Sequence, residues 1–225
     1  MALMNPASGK KTIIIALVAV IAVVAGWWGY GEQRKGEQRK AIVALVSDTA
    51  TRMSSALTAT DVSPEVARKL DEHTAAADRN LAELKRMNTA REPAFAEAAD
   101  DYLLTGREIL KRLVNVQRYR QLLSESLPAL QAHMRADNRT GAWVQEAVKA
   151  RERVNKDHRD LTIAAGVLDQ LLQSFPASQK KIAPFAGPAV LIDDGVLAAA
   201  RARALEAVKQ AAAEIAKTNQ PDAFR

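Results

Sequence analysis

FAEAADDYLLTGREILKRLVNVQRYRQLLSESLPALQAHM, residues 95–134, places Phe95, Ala99, Tyr102, Gly106, Ile109, Leu113, Val116, Arg120, Leu123, Leu127, Leu130 and Met134 at strictly alternating spacings of four and three. That alternation keeps one stripe of a helix on a constant face, the heptad seam of a coiled coil or a long bundle helix. Glu92-Pro93 opens it, because proline disfavours helical geometry in the residue before it. Pro128 removes a hydrogen bond to Ser124, so a kink or a division is expected after about Leu127.

Downstream, Asp137-Asn138-Arg139-Thr140-Gly141 has the composition of a turn. The seam then resumes with Val144, Ala147, Arg151, Val154, His158, Leu161, Ala165, Leu168, Leu172 and Phe175. Two seams of similar length joined by a short turn predict an antiparallel helical hairpin. Residues 176–194 contain Pro176, Pro184, Gly187 and Pro188 and read as a linker across one end of the bundle, with Ile182, Phe185, Val190, Leu191 and Ile192 packing it down. A last helix over about 194–218 presents Leu197, Ala204, Val208, Ala211 and Ile215, and residues 219–225 form a frayed tail.

Upstream, Ile42, Val46, Thr49, Met53 and Ala56 share one face of a helix over about 36–60. Ser63-Pro64-Glu65 then supplies an N-cap and a first-turn proline for a second helix striped by Val66, Leu70, His73, Ala77, Leu81 and Leu84. Strand-like alternation is missing throughout. The fold class is therefore all-α: a single N-terminal transmembrane helix followed by an antiparallel helical bundle, with residues 42–218 as the bundle domain.

The transmembrane expectation rests on residues 12–30. Thr12 to Gly26 is apolar, no charge stands between Lys11 and Glu32, and Trp27, Trp28 and Tyr30 close the run. At ~1.5 Å per residue such a helix crosses a hydrocarbon core of ~30 Å, with the three aromatics at the headgroup boundary. Residues 1–11 are a short basic tail, and 31–41 a charged spacer containing a tandem Gly-Glu-Gln-Arg-Lys. A cleavable signal peptide ending near Val23-Val24-Ala25 is the rival reading, but a signal core is ~7–15 residues and has no aromatic girdle. Lys and Arg counts on the two sides favour a cytoplasmic bundle. The order of a short basic start followed at once by the apolar run instead matches a bacterial signal anchor, and is weighed more heavily. The expected location is the bacterial inner membrane, single-pass, with the C-terminal domain periplasmic.

The chain has no cysteine, so disulfides, thiolate nucleophiles and cysteine-based metal sites are excluded. Of the net charge of +6, Lys10 and Lys11 account for two, leaving +4 on the rest. Acidic and basic residues are interspersed, unlike a nucleic-acid-binding stripe. His73, His133 and His158 are too far apart for a zinc pair, and none follows a glutamate by three residues as in di-iron bundles. Ser8-Gly9-Lys10-Lys11-Thr12 lacks the first glycine of a phosphate-binding loop, and Asn138-Arg139-Thr140 is read as a turn and not as a sequon. No cofactor, no metal and no catalytic residue are expected.

One constellation stands out. With the hairpin turning near Arg139, Arg120 comes level with His158, and Leu127 with Arg151, which puts cations in an apolar seam. Arg120, His158 and Arg151 are the candidate ligand-binding residues, for an anionic group. The competing reading is that the arginines snorkel to the rim while His158 pairs with a carboxylate such as Glu72 or Glu206. The pattern as a whole reads as a non-catalytic, membrane-anchored scaffold or adaptor subunit of an envelope complex. Its partners would be the lipid bilayer and other membrane or periplasmic proteins, not nucleic acid, and a homo-oligomer is compatible with them. A ligand-binding, sensor-like bundle acting through a partner is the alternative.

Overall fold

The computed structural model describes residues 35–135 and 141–218, and every regular element among them is helical. The expected span at 12–30, the aromatics Trp27, Trp28 and Tyr30, most of the expected turn at 137–141, and the tail 219–225 lie outside the described residues. Among the described residues no helix is long and apolar enough to cross a membrane.

Residues 35–58 belong to α1, whose predicted face is the buried one: Ile42, Val46, Thr49, Met53 and Ala56 are all inside. Helix α2, Pro64–Arg86, begins as its sequence dictates, with the Ser63 side chain accepting a hydrogen bond from the Val66 N–H at 3.3 Å and Pro64 in the first turn. Helix α3 spans Pro93–Met134, α4 Gly141–Ala186 and α5 Asp194–Thr218. The Asp193 carboxylate caps α5 by accepting from the Gly195 and Val196 N–H groups at 2.8 and 3.3 Å.

Long-range pairs fix the directions. Arg39 lies 5.9 Å over the Phe95 ring, and Gln117 donates to the Asp61 carbonyl at 2.7 Å, so α1 runs parallel to α3. Asn80 donates to Asp48 and Thr49, which makes α2 antiparallel to α1. Tyr102 packs on Phe175 with ring centroids 5.1 Å apart, and Phe95 stacks on Phe185 at the same distance, as the predicted α3–α4 hairpin requires. At its far end His133 and Trp143 stack at 5.3 Å and exchange two hydrogen bonds. Trp143 Nε1 donates to the His133 carbonyl and His133 Nε2 to the Trp143 carbonyl, both at 3.0 Å. Arg201 then joins α5 to Asp169 on α4 at 2.7 Å.

Because α2 and the described part of α1 are little more than half as long as α3 and α4, the described bundle has two halves. In the proximal half all five helices pack together, and in the distal half, among the described residues, α3, α4 and α5 continue without the other two. Gly106 permits a close approach of α1 to α3 in the proximal half: a Cβ there would stand 2.6 Å from Met53 Sδ and 3.3 Å from Thr49 Cγ2.

Three expectations are corrected. Helix α3 is not divided at Pro128, which faces solvent and stays within the helix. Residues 176–186 are not linker but the last turns of α4, with Pro176 and Pro184 inside it. Phe175, Ser178, Gln179 and Ile182 are all buried at helical spacing, so packing on α3 holds the helix across the two hydrogen bonds that the prolines remove. The true connection is Gly187–Asp193. Gly187, at φ 78°, ends α4 in a conformation that suits glycine, and a 3-10 turn, Pro188–Val190, follows. Tyr102 Oη donates to the Val190 carbonyl at 2.7 Å, and the Gln179 amide pairs with both the N–H and the carbonyl of Ile192. The connection thus packs as expected, apart from Leu191, which is exposed. Lastly, Val144 was expected in the α4 seam but is 51% exposed, as is Val148, because α1 and α2 do not reach this level.

Candidate functional site

Arg120 lies where the two halves meet. It projects from α3 one turn beyond Val116 and Gln117, at the height where α1 ends and its loop turns into α2. Gln117 holds that loop by its bond to the Asp61 carbonyl, and Arg203 on α5 donates to the Leu57 carbonyl at the end of α1. Three segments distant in sequence therefore frame one crevice. Its deeper part is a cavity of ≈ 50 Å³ with Leu57, Val66, Leu113 and Leu168 among its walls, and Arg120, Gln117 and Arg203 border it. A surface groove of ≈ 390 Å³ adjoins, sharing Thr60, Arg120 and Arg203 with the cavity and edged by Glu206 and Gln210.

The electrostatics of the crevice are uneven. Arg203 is engaged with a backbone carbonyl, whereas among the described residues no hydrogen-bond or ion-pair partner meets the half-buried Arg120 guanidinium. Burial pulls the Arg120 pKa below its ordinary value, a shift that leaves the side chain cationic at neutral pH. Glu206 is near, but its carboxylate accepts from Gln210 at 3.3 Å.

The three residues singled out by the sequence are not gathered into one site. Arg120 and His158 do stand near the same level, since the His133–Trp143 and Tyr102–Phe175 pairs give the hairpin the register expected from a turn near Arg139. His158, however, does not line the crevice, and neither does Arg151, which is exposed on α4. His158 Nε2 is buried with no hydrogen-bond partner among the described residues, so the pairing with Glu72 or Glu206 is not formed; Glu72 is joined to Arg68 instead. Next to His158, Asp157 is buried and its Oδ2 lacks a partner among the described residues.

Arg203, Gln117 and Thr60 are the residues that sequence reasoning missed. The register of a hairpin gives the height of Arg120 but not its azimuth, and the neighbours on this side come from a loop and a helix 56 and 146 residues apart from their partners. Among the described residues no group of three or more His, Cys, Asp or Glu side chains is placed to hold a metal ion. The chain matches no protein-family model, no curated protein and no solved structure.

Proposed function

We propose that the protein is a membrane-tethered helical scaffold, a non-catalytic adaptor subunit of a bacterial envelope complex whose bundle stands outside the cytoplasm. The observation that carries this reading is the uncharged run from Thr12 to Tyr30, placed directly before a helix that enters at one end of the bundle. The first described turns of α1 lie beside the end of α2, the start of α3 and the end of α4, so a span leading into them would leave the bundle at the proximal end. The 42 residues of α3 extend about 63 Å at 1.5 Å each, so a bundle standing upright on the bilayer would hold its hairpin tip far out from it. A long, narrow body with helical faces and a fixed base suits presentation of a surface to other proteins.

Washing membranes with alkaline carbonate and then sequencing the retained protein tests the tether. Retention with an intact N-terminus is expected, because burial of the Ile13 to Val24 side chains far outweighs screened surface charge. A mature chain starting at Gly26, or release by carbonate, overturns it. Protease added to the periplasmic face should digest the bundle; protection would place it in the cytoplasm, as the Lys and Arg counts favour. Crosslinking in intact membranes should recover a multiprotein assembly, and recovery of the monomer alone counts against the adaptor role. The unpaired Arg120 in its crevice supports a second reading, a ligand-binding bundle that acts through a partner.

A further inference from the structure

We propose that the Arg120–Arg203 crevice binds a small monocarboxylate, with the carboxylate between the two guanidiniums and a short apolar tail in the cavity beside them. The inference rests on the ligand-binding reading and is independent of how the chain meets the membrane. Arg120 supplies a planar fork of donors with no partner among the described residues, and a carboxylate is the planar acceptor that such a fork fits. Arg203 spends one Nη2 donor on the Leu57 carbonyl and keeps the rest of its fork, while that bond fixes where the fork stands.

The walls select within the anions. Beside the arginines the ≈ 50 Å³ cavity has room for about three or four water-sized groups, and Leu57, Leu113 and Leu168 make its walls mainly apolar, with Thr60, Asp61 and Gln117 as the polar members. It therefore favours a tail of about two or three carbons over a bare ion. Asp61 borders the cavity and Glu206 the groove, so a dianion's doubled attraction to the two arginines is matched by doubled repulsion from the two carboxylates. The selection of a monocarboxylate over phosphate rests on the cavity, whose leucine walls suit a hydrocarbon tail and not the further oxygens of a tetrahedral anion.

Full-length protein in a neutral detergent, titrated with acetate, propionate, butyrate, hexanoate and inorganic phosphate by calorimetry and thermal melts, tests this. Saturable binding with an optimum at propionate or butyrate is expected, weaker by tenfold or more in Arg120→Leu and unchanged in Arg118→Leu, whose side chain is exposed on the same helix. Arg120→Lys keeps the charge but not the fork and should fall between, and Glu206→Gln should tighten binding severalfold. Phosphate binding as well as butyrate, with the same dependence on Arg120, would overturn the carboxylate while leaving an anion site. No saturable binding of any probe, or binding indifferent to Arg120 in variants that melt like the parent, would overturn both the proposal and the ligand-binding reading.

Discussion

The proximal and distal halves are built from the same two seams, yet they differ in what the seams face. Every one of the largest fully buried side chains, from Ile42 and Met53 on α1 through Phe95 and Tyr102 on α3 to Phe175 and Leu172 on α4, lies at the level of Leu161 or nearer the proximal end. Beyond Leu161 the seam still buries Leu123, Leu127, Leu130 and Val154, but Ser126 and Asp157 are buried among them, and Val144 and Val148 are left half in water. A heptad pattern therefore specifies helix and face equally well in both places. How deeply that face is buried depends on how many helices reach it, which is a property of helix length and not of local sequence.

The contrast is most easily broken by truncation. Phe175→Ala, at a fully buried ring packed on Tyr102, should cost about 3–5 kcal/mol in chemical denaturation. Val148→Ala in the distal half should stay within about 0.5 kcal/mol. Comparable losses at the two sites would mean that the halves are packed alike.

Pro128→Ala probes the distal half in the opposite direction. Pro128 is exposed, so the change disturbs no core and restores an N–H that can bond the Ser124 carbonyl. Stabilisation by up to about 3 kcal/mol is expected, with protection gained near residues 124–134. Loss of stability would show that the proline relieves a clash.

Tyr102→Phe isolates the polar fastening of the proximal end. It removes the donor to the Val190 carbonyl in the interior, and should cost about 1–3 kcal/mol and loosen Gly187–Asp193 before the rest of the bundle. Burial pushes the Tyr102 hydroxyl pKa upward, so the bond should persist at every pH at which the fold survives.

The smallest effect expected is a pH dependence at His73 on α2. Burial, and then the Arg52 charge beside it, lower its pKa from the ordinary 6.5. The unfolded chain thus takes up this proton at a higher pH than the folded one, and stability falls as the pH drops below about 6.5. His73→Gln should flatten that part of a stability-against-pH profile, and an unchanged slope would assign the dependence elsewhere.

Much of this architecture can be read without coordinates, and the exceptions have physical causes. Ser63-Pro64 at the start of α2, the α1 face from Ile42 to Ala56, and the α3 seam are local patterns, and each stands in the fold as its chemistry requires. Pro176 and Pro184 mislead because a proline states its local cost and not the tertiary burial of Phe175, Gln179 and Ile182 that outweighs it. The apolar period does continue through both prolines, a signal that could have extended α4. The crevice around Arg120 is hidden for another reason. Leu57, Asp61 and Arg203 meet only when the end of α1, the loop that follows it and the middle of α5 arrive at one height, and no spacing in the chain encodes that height.

Hydrogen exchange on the full chain, read by mass spectrometry residue segment by residue segment, tests the two-part construction most directly. Amides of α1, of α3 from Phe95 to Leu113 and of α4 from Ala165 to Ile182 should exchange only by global unfolding, whereas those of α3 beyond Leu123 and of α4 before Val154 should open earlier, by local unfolding of the three-helix half. Protection that is uniform along α3 and α4, or lowest at the proximal end, would contradict it.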